Sequence, residues 1–283
     1  MGALLEGRTI DDAWLSTLRL VSEQPNRQLF HVMTTVSEPQ ILGDQLLREQ
    51  IDKTLTPEPG KKKNLQSAET IANTIFPRGL YPDPKVTYIP GDDANNEQLA
   101  VAAETLYERY RLIFPHMKKL HAENKKGSYF QRMISWGDKK TLRGYNQLAK
   151  RIDQLQAKRA TVTRFNASDL QLTEPGEPEG LPVEIQSAGD NRMRSFPCLV
   201  HVDIGVLGNK LNLMATYRHQ MLISKGYGNF LGLARLQAFL AQQSGYAIGE
   251  LAMQATVADA ESTLFNKADI KLLLGASDRA ELF

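Results

Sequence analysis

Trp14, Leu15, Leu18 and Val21 share one side of a helical wheel, so the spacing predicts a helix over Ile10–Ser22, with Asp11 or Asp12 placed to cap it. Leu29–Val36 has a strand composition, and Pro39 puts a loop after it. Leu65–Phe76 reads as a second helix, stopped by Pro77. Tyr81–Asp93 carries Pro82, Pro84, Pro90 and Gly91 and reads as irregular. Asn96–Phe114 sets Leu99, Ala102, Leu106, Tyr110 and Ile113 on one face, the pattern of an amphipathic helix. The basic stretch His116–Lys126 reads as exposed, Leu142–Ala157 as a helix ending at Lys158–Arg159, and Ala160–Asn166 as a strand.

The last third is patterned most sharply. Over Pro197–Val206, Val200, Val202, Ile204 and Val206 alternate with Leu199, His201, Asp203 and Gly205. Leu211, Leu213, Ala215 and Tyr217 alternate again, and Gly208–Asn209 between the runs is a hairpin signal. A Gly-rich loop is expected over Lys225–Asn229, followed by a helix over Phe230–Gln243, dense enough in Leu, Ala and Phe to be buried. Helices mixed with hairpin strands, without regular βαβ alternation, predict an α+β fold: a mixed sheet around a long buried central helix, with flanking helices. One domain over 1–283 is expected, with Leu172–Gly189, rich in Glu, Pro and Gly, as a surface loop insertion.

Composition narrows the function classes. With 34 Lys+Arg against 32 Asp+Glu, the net charge of +2 gives no argument for a nucleic-acid or membrane surface. No apolar run reaches the ~20 residues of a membrane helix, and Met1–Asp12 lacks the apolar stretch of a signal peptide. The one cysteine, Cys198, excludes an internal disulfide and a multi-cysteine metal site. A cytoplasmic protein without a metal is expected.

A thiol at the head of a strand, in a neighbourhood with arginine, is a candidate nucleophile, though a lone cysteine is more often a packed one. The run from Cys198 to Glu261 resembles thymidylate synthase. Pro197–Cys198 opens a strand, Arg218 closes the next one, Asn229 opens the long helix, Ala241–Gln242–Gln243 ends it, and Gly249–Glu250 follows, at the family spacing and without a gap. The resemblance implies a transferase, of methyl- or hydroxymethyltransferase type, acting at C5 of a pyrimidine nucleotide. Cys198 would add to C6, Arg218 would bind the 5′-phosphate beside His219, and Asn229 would read the O4/N3 edge of a uracil-type base. Upstream, Tyr129 in Gly-Ser-Tyr-Phe resembles the tyrosine segment beside the family's active site, and Glu69 stands for its proton-relaying acid. Lys158–Arg159 resemble the paired basic residues that reach a partner's phosphate, which implies a homodimer.

The sequence also departs from the family. Leu199 replaces the usual His after the cysteine, and Met221 stands where an Asp grips the folate pterin. Asp259 and Glu261 stand where His and Tyr hold the sugar hydroxyl, and the chain runs only to Phe283 beyond them, short of a folate-covering tail. Methylenetetrahydrofolate is implied by the resemblance, but these positions argue against it. The expectation is a diverged enzyme of a specialised nucleotide or nucleoside pathway, folate-independent in one version. The alternative is a non-catalytic nucleotide-binding member, a sensor or structural subunit.

Overall fold

The structure, a computed structural model, describes residues 2–41, 43–56, 65–120, 127–137, 142–160, 183–186 and 197–276. Along the chain run β1 (Ala3–Gly7), α1 (Ile10–Ser22), β2 (Gln28–Val36), α2 (Gln45–Leu55), α3 (Ala68–Ile75), α4 (Asp93–Leu120), α5 (Tyr129–Ile134) and α6 (Gln147–Ala160). Then come β3 (Val183–Glu184), β4 (Leu199–Leu207), β5 (Lys210–Met221), a π turn (Leu222–Gly226), α7 (Tyr227–Ser244), β6 (Ala247–Asp259) and α8 (Lys267–Leu274). The strands form a mixed six-stranded sheet in the order β1-β2-β6-β5-β4-β3. Strand β1 runs parallel to β2, β2 antiparallel to β6, and β3 antiparallel to β4. The α+β class expected from the sequence is observed. The chain divides into two compact units, Met1–Asn73 with Met214–Ala234 and Gly249–Phe283, and Thr74–Leu213 with Arg235–Ile248.

The first unit opens with a βαβ element that the sequence pattern did not announce, because β1 is five residues long and only half-buried on alternate positions. Helix α1 is capped by Thr9, whose side chain accepts from Asp12 N while the Asp12 carboxylate accepts from Thr9 N. The cap is therefore Thr9 rather than Asp11 or Asp12, and Asp11 is released for another contact. Trp14, Leu18 and Val21 are fully buried, and Trp14 Nε1 donates to Leu222 O at 2.8 Å. Leu47, Ile51 and Leu55 bury the inner face of α2 at four-residue spacing. The expected loop over Lys225–Asn229 is helical instead, a π turn running into α7. Gly228 explains part of this, for a Cβ there would stand 2.6 Å from Ile71 Cβ and 2.7 Å from Ala68 O. The glycine lets α7 close on α3, and that packing overrides its low helix propensity.

In the second unit α4 begins before the expected Asn96 and continues through Pro115 to Leu120. Its buried face is Leu99, Ala102, Leu106, Tyr107, Tyr110 and Phe114, so Phe114 rather than Ile113 closes the stripe. Phe76, Tyr81, Phe130 and Phe239 form an aromatic cluster with centroid separations of 5.1–6.2 Å. The Gln pair near the end of α7 ties it to the irregular segment: Gln243 Nε2 donates to Leu99 O and to Tyr81 Oη, and Tyr81 Oη donates to Gln242 Oε1. Gly245, at φ +78°, ends α7 by donating to Ala241 O. The expected turn at Gly208–Asn209 joins β4 to β5, with Val202, Ile204, Val206, Leu211 and Leu213 buried. Helix α6 starts at Gln147, later than expected, and ends at Ala160. The expected strand beyond 160, most of the loop over 172–189, and residues 57–64 and 121–126 lie outside the described residues, as does the chain after 276.

Candidate functional site

The candidate residues fall in both units. In the second unit Cys198 lies immediately before β4 and is half-buried, with the buried Leu199 next to it. Tyr129 is the first residue of α5, a helix capped by Ser128, whose hydroxyl accepts from Gln131 N at 3.0 Å. Tyr129 Oη accepts from Leu199 N over a long 3.5 Å contact, so the structure brings it to the residue adjoining the thiol. Lys158 and Arg159 are in the last turn of α6, and their side chains lie outside the described residues.

The same unit holds a charge cluster that sequence reasoning missed. His201 is 7% exposed on β4, with Nδ1 3.3 Å from Glu184 Oε1 and Nε2 2.9 Å from Asp203 Oδ1. Burial disfavours the imidazolium, but the two carboxylates outweigh it and raise its pKa to about 9. Strand β3 pairs Glu184 with His201, and Gln147 holds Glu184 by its backbone N and O. The signal was the His-x-Asp spacing on one strand face; its second acid, Glu184, is distant in sequence.

In the first unit Arg218 and His219 lie near the end of β5. Arg218 is half-buried, with Nε and Nη2 shielded from solvent. His219 Nε2 lies 3.1 Å from Asp259 Oδ2, which also accepts from Gln28 Nε2 at 2.9 Å. Asp259 Oδ1 accepts from Glu261 N at 2.7 Å. Glu261 is 5% exposed, and its Oε2 accepts from Ile223 N at 3.0 Å and Ser224 N at 2.8 Å. Burial, opposed by these hydrogen bonds and reinforced by the Asp259 charge, pushes the Glu261 carboxyl above the usual glutamate range. Asn229 is buried in the first turn of α7. Glu69 is exposed in the first turn of α3.

A second buried network meets the start of α7. Tyr227 Oη donates to Asp11 Oδ1 at 2.9 Å and accepts from Arg48 Nε at 3.1 Å, and the Asp11 carboxylate also accepts from Asp44 N. The Tyr227 ring stands edge-on to Trp14 at 5.5 Å. Burial raises the pKa of both Asp11 and Tyr227. These residues carry no motif, and only the fold brings them together.

Among the described residues no group of three or more His, Cys, Asp or Glu is arranged to hold a metal, and no helix is long and apolar enough to cross a membrane. No protein-family model matches the chain, and no curated protein matches it.

Proposed function

We propose that the protein is a diverged thymidylate-synthase-like transferase acting at C5 of a uracil-type pyrimidine nucleotide, with Cys198 as the nucleophile. The observation that supports the reading most is the half-buried position of Cys198 immediately before β4, taken with its spacing to Arg218 and Asn229. The spacing from Cys198 to Arg218 and Asn229 gives the thiol its chemical context.

C5 of a pyrimidine is a poor nucleophile. Addition of the Cys198 thiolate to C6 turns C5 into an enolate-like carbon. That carbon attacks a one-carbon electrophile, the C5 proton leaves to a base, and elimination from C6 returns the thiol. Arg218 binds the 5′-phosphate through two donors, with His219 beside it. Asn229 donates to O4 and accepts from N3–H, a pairing that a buried carboxamide makes selective because a wrong edge leaves a polar group unsatisfied. Tyr129 is the hydrogen-bond partner next to the thiol. Asp259, paired with His219, completes the polar set, and Glu261 stands behind it against the Ile223 and Ser224 amides. Met221, 37% exposed, offers only a weakly accepting thioether where folate would need a carboxylate, so no step is assigned to folate. The protein is read as a cytoplasmic homodimer in which Lys158 and Arg159 serve the neighbour's phosphate.

Incubation with 5-fluoro-2′-deoxyuridine 5′-monophosphate and a candidate one-carbon donor tests this by intact mass. An adduct on wild type that Cys198→Ala abolishes is expected; no adduct under any donor counts against it. The exposure of Glu69 favours a second reading, a nucleotide-binding protein without catalysis. That version predicts nucleotide binding unchanged in Cys198→Ala and no adduct.

A further inference from the structure

Between Arg218 and Asn229 the chain makes a π turn, Leu222–Gly226, before α7 begins. A π turn sets the following residues about one position out of phase with an α-helix, and such turns are frequent at functional sites. This one is held at three places. Trp14 Nε1 donates to Leu222 O at its start, Glu261 Oε2 accepts from Ile223 N and Ser224 N, and Tyr227, just after it, is held by Asp11 and Arg48. Ile223 and Ser224 are at the positions whose amides have no acceptor within the helical run, so Glu261 supplies the cap from the end of β6.

Glu261 is itself fixed. Its φ of +50° is a left-handed conformation that a non-glycine residue adopts at a cost. Asp259 Oδ1 accepts from its amide, and its carbonyl accepts from Leu264 N and Phe265 N. The second carboxyl oxygen, Oε1, is buried beside Oε2. The carboxylate thus accepts two successive backbone amides from a strained position out of water.

We propose that Glu261 is a positioning residue: by capping Ile223 and Ser224 it fixes the π turn, and through the turn it fixes where Asn229 stands relative to Arg218. The roles of Asn229 and Arg218 rest on the nucleotide reading above, whereas the cap does not. Either protonation state serves, because a neutral carboxyl carries its proton on Oε1 and still accepts both amides at Oε2. The charged groups on the elements that meet here include Asp259 and its partner His219, Lys225 within the turn, Asp11 of α1 and Arg48 of α2 beside Tyr227, and Arg27, whose Nη1 donates to Phe265 O.

The test uses the full chain as wild type, Glu261→Ala and Glu261→Gln. Affinity for 2′-deoxyuridine 5′-monophosphate is measured by calorimetry, and the backbone amides of Ile223, Ser224 and Asn229 are followed by NMR as pH is varied. Removing both capped contacts in Glu261→Ala is expected to weaken binding about tenfold, and Gln, which keeps one acceptor oxygen, to restore it to within about twofold of wild type. In wild type the Ile223 and Ser224 amides should titrate together with a midpoint above the usual glutamate range, and in Glu261→Gln that titration should vanish. Should Glu261→Ala not fold, the Gln variant and the amide titration carry the test. Wild-type affinity in Glu261→Ala, a folded Gln variant as weak as Ala, or amides blind to pH would overturn the proposal. If wild type binds no pyrimidine nucleotide, the nucleotide reading falls and the positioning role with it, and the amide titration separates that failure from a misread cap.

Discussion

His201 offers a stability test in which the sign and the pH window follow from two distances. Its imidazole is flanked by Asp203 at 2.9 Å and Glu184 at 3.3 Å, and its pKa rises from 6.5 to about 9. The native state then holds a proton that the unfolded chain has lost, so the contribution is complete below pH 6.5 and disappears as pH rises through about 9. A shift of that size corresponds to about 3 kcal/mol. The Glu184 side chain is 44% exposed and its share is screened by water, which leaves about 2 kcal/mol, mostly from Asp203 at 14% exposure. Urea unfolding of wild type and His201→Gln between pH 6 and pH 10 isolates this term, because the remaining titrations are common to both proteins. The stability difference between them should shrink by about 2 kcal/mol across the range, with most of the change between pH 6.5 and pH 9. A constant difference would show that His201 is not held as an imidazolium, and the cluster would be misread.

Gly228→Ala places a methyl group 2.6 Å from Ile71 Cβ and 2.7 Å from Ala68 O, and should destabilise the protein by about 1–3 kcal/mol in denaturant unfolding; unchanged stability would mean that α3 and α7 are not in that contact. Tyr227→Phe removes the donor to the buried Asp11 and should cost about 1–3 kcal/mol, with Asp11 titrating higher still by NMR, a rise whose absence contradicts the network. Asn229→Asp replaces a donor–acceptor pair by acceptors alone, which suits a cytosine amino group. Calorimetry should show the preference moving from uridylate to cytidylate, and an unmoved preference would remove Asn229 from base reading.

The alternation over Leu199–Tyr217 and the turn at Gly208–Asn209 were legible because one face of each strand is buried and the period of two is direct. The apolar density of Phe230–Gln243 marked α7 for the same reason. Helix α2 was passed over, since its three core residues are diluted by polar neighbours, and β1 because half-burial leaves little contrast. The π turn was hidden by Gly226 and Gly228, which signal a loop locally, while Gly228 here serves close packing against α3. Of the candidate residues, Cys198, Arg218 and Asn229 were proposed from spacing in one continuous stretch. The parts assembled by tertiary structure were not: the Asp11–Tyr227–Arg48 network joins three elements, and the amides that Glu261 caps lie at the far end of α7 from it in sequence. Glu261 could be named from the sequence as a polar group near a ligand, but its engagement with two amides depends on where β6 ends.

Activation of a pyrimidine at C6 has a consequence that needs no second substrate: the C5 hydrogen becomes exchangeable with water. Release of tritium from [5-³H]-2′-deoxyuridine 5′-monophosphate therefore tests the role of the Cys198 thiol most directly. Wild type should release tritium above the buffer rate, and Cys198→Ala should release none. Release that persists in Cys198→Ala would contradict a thiol nucleophile, and a wild type that binds the nucleotide without releasing tritium would contradict catalysis at C5.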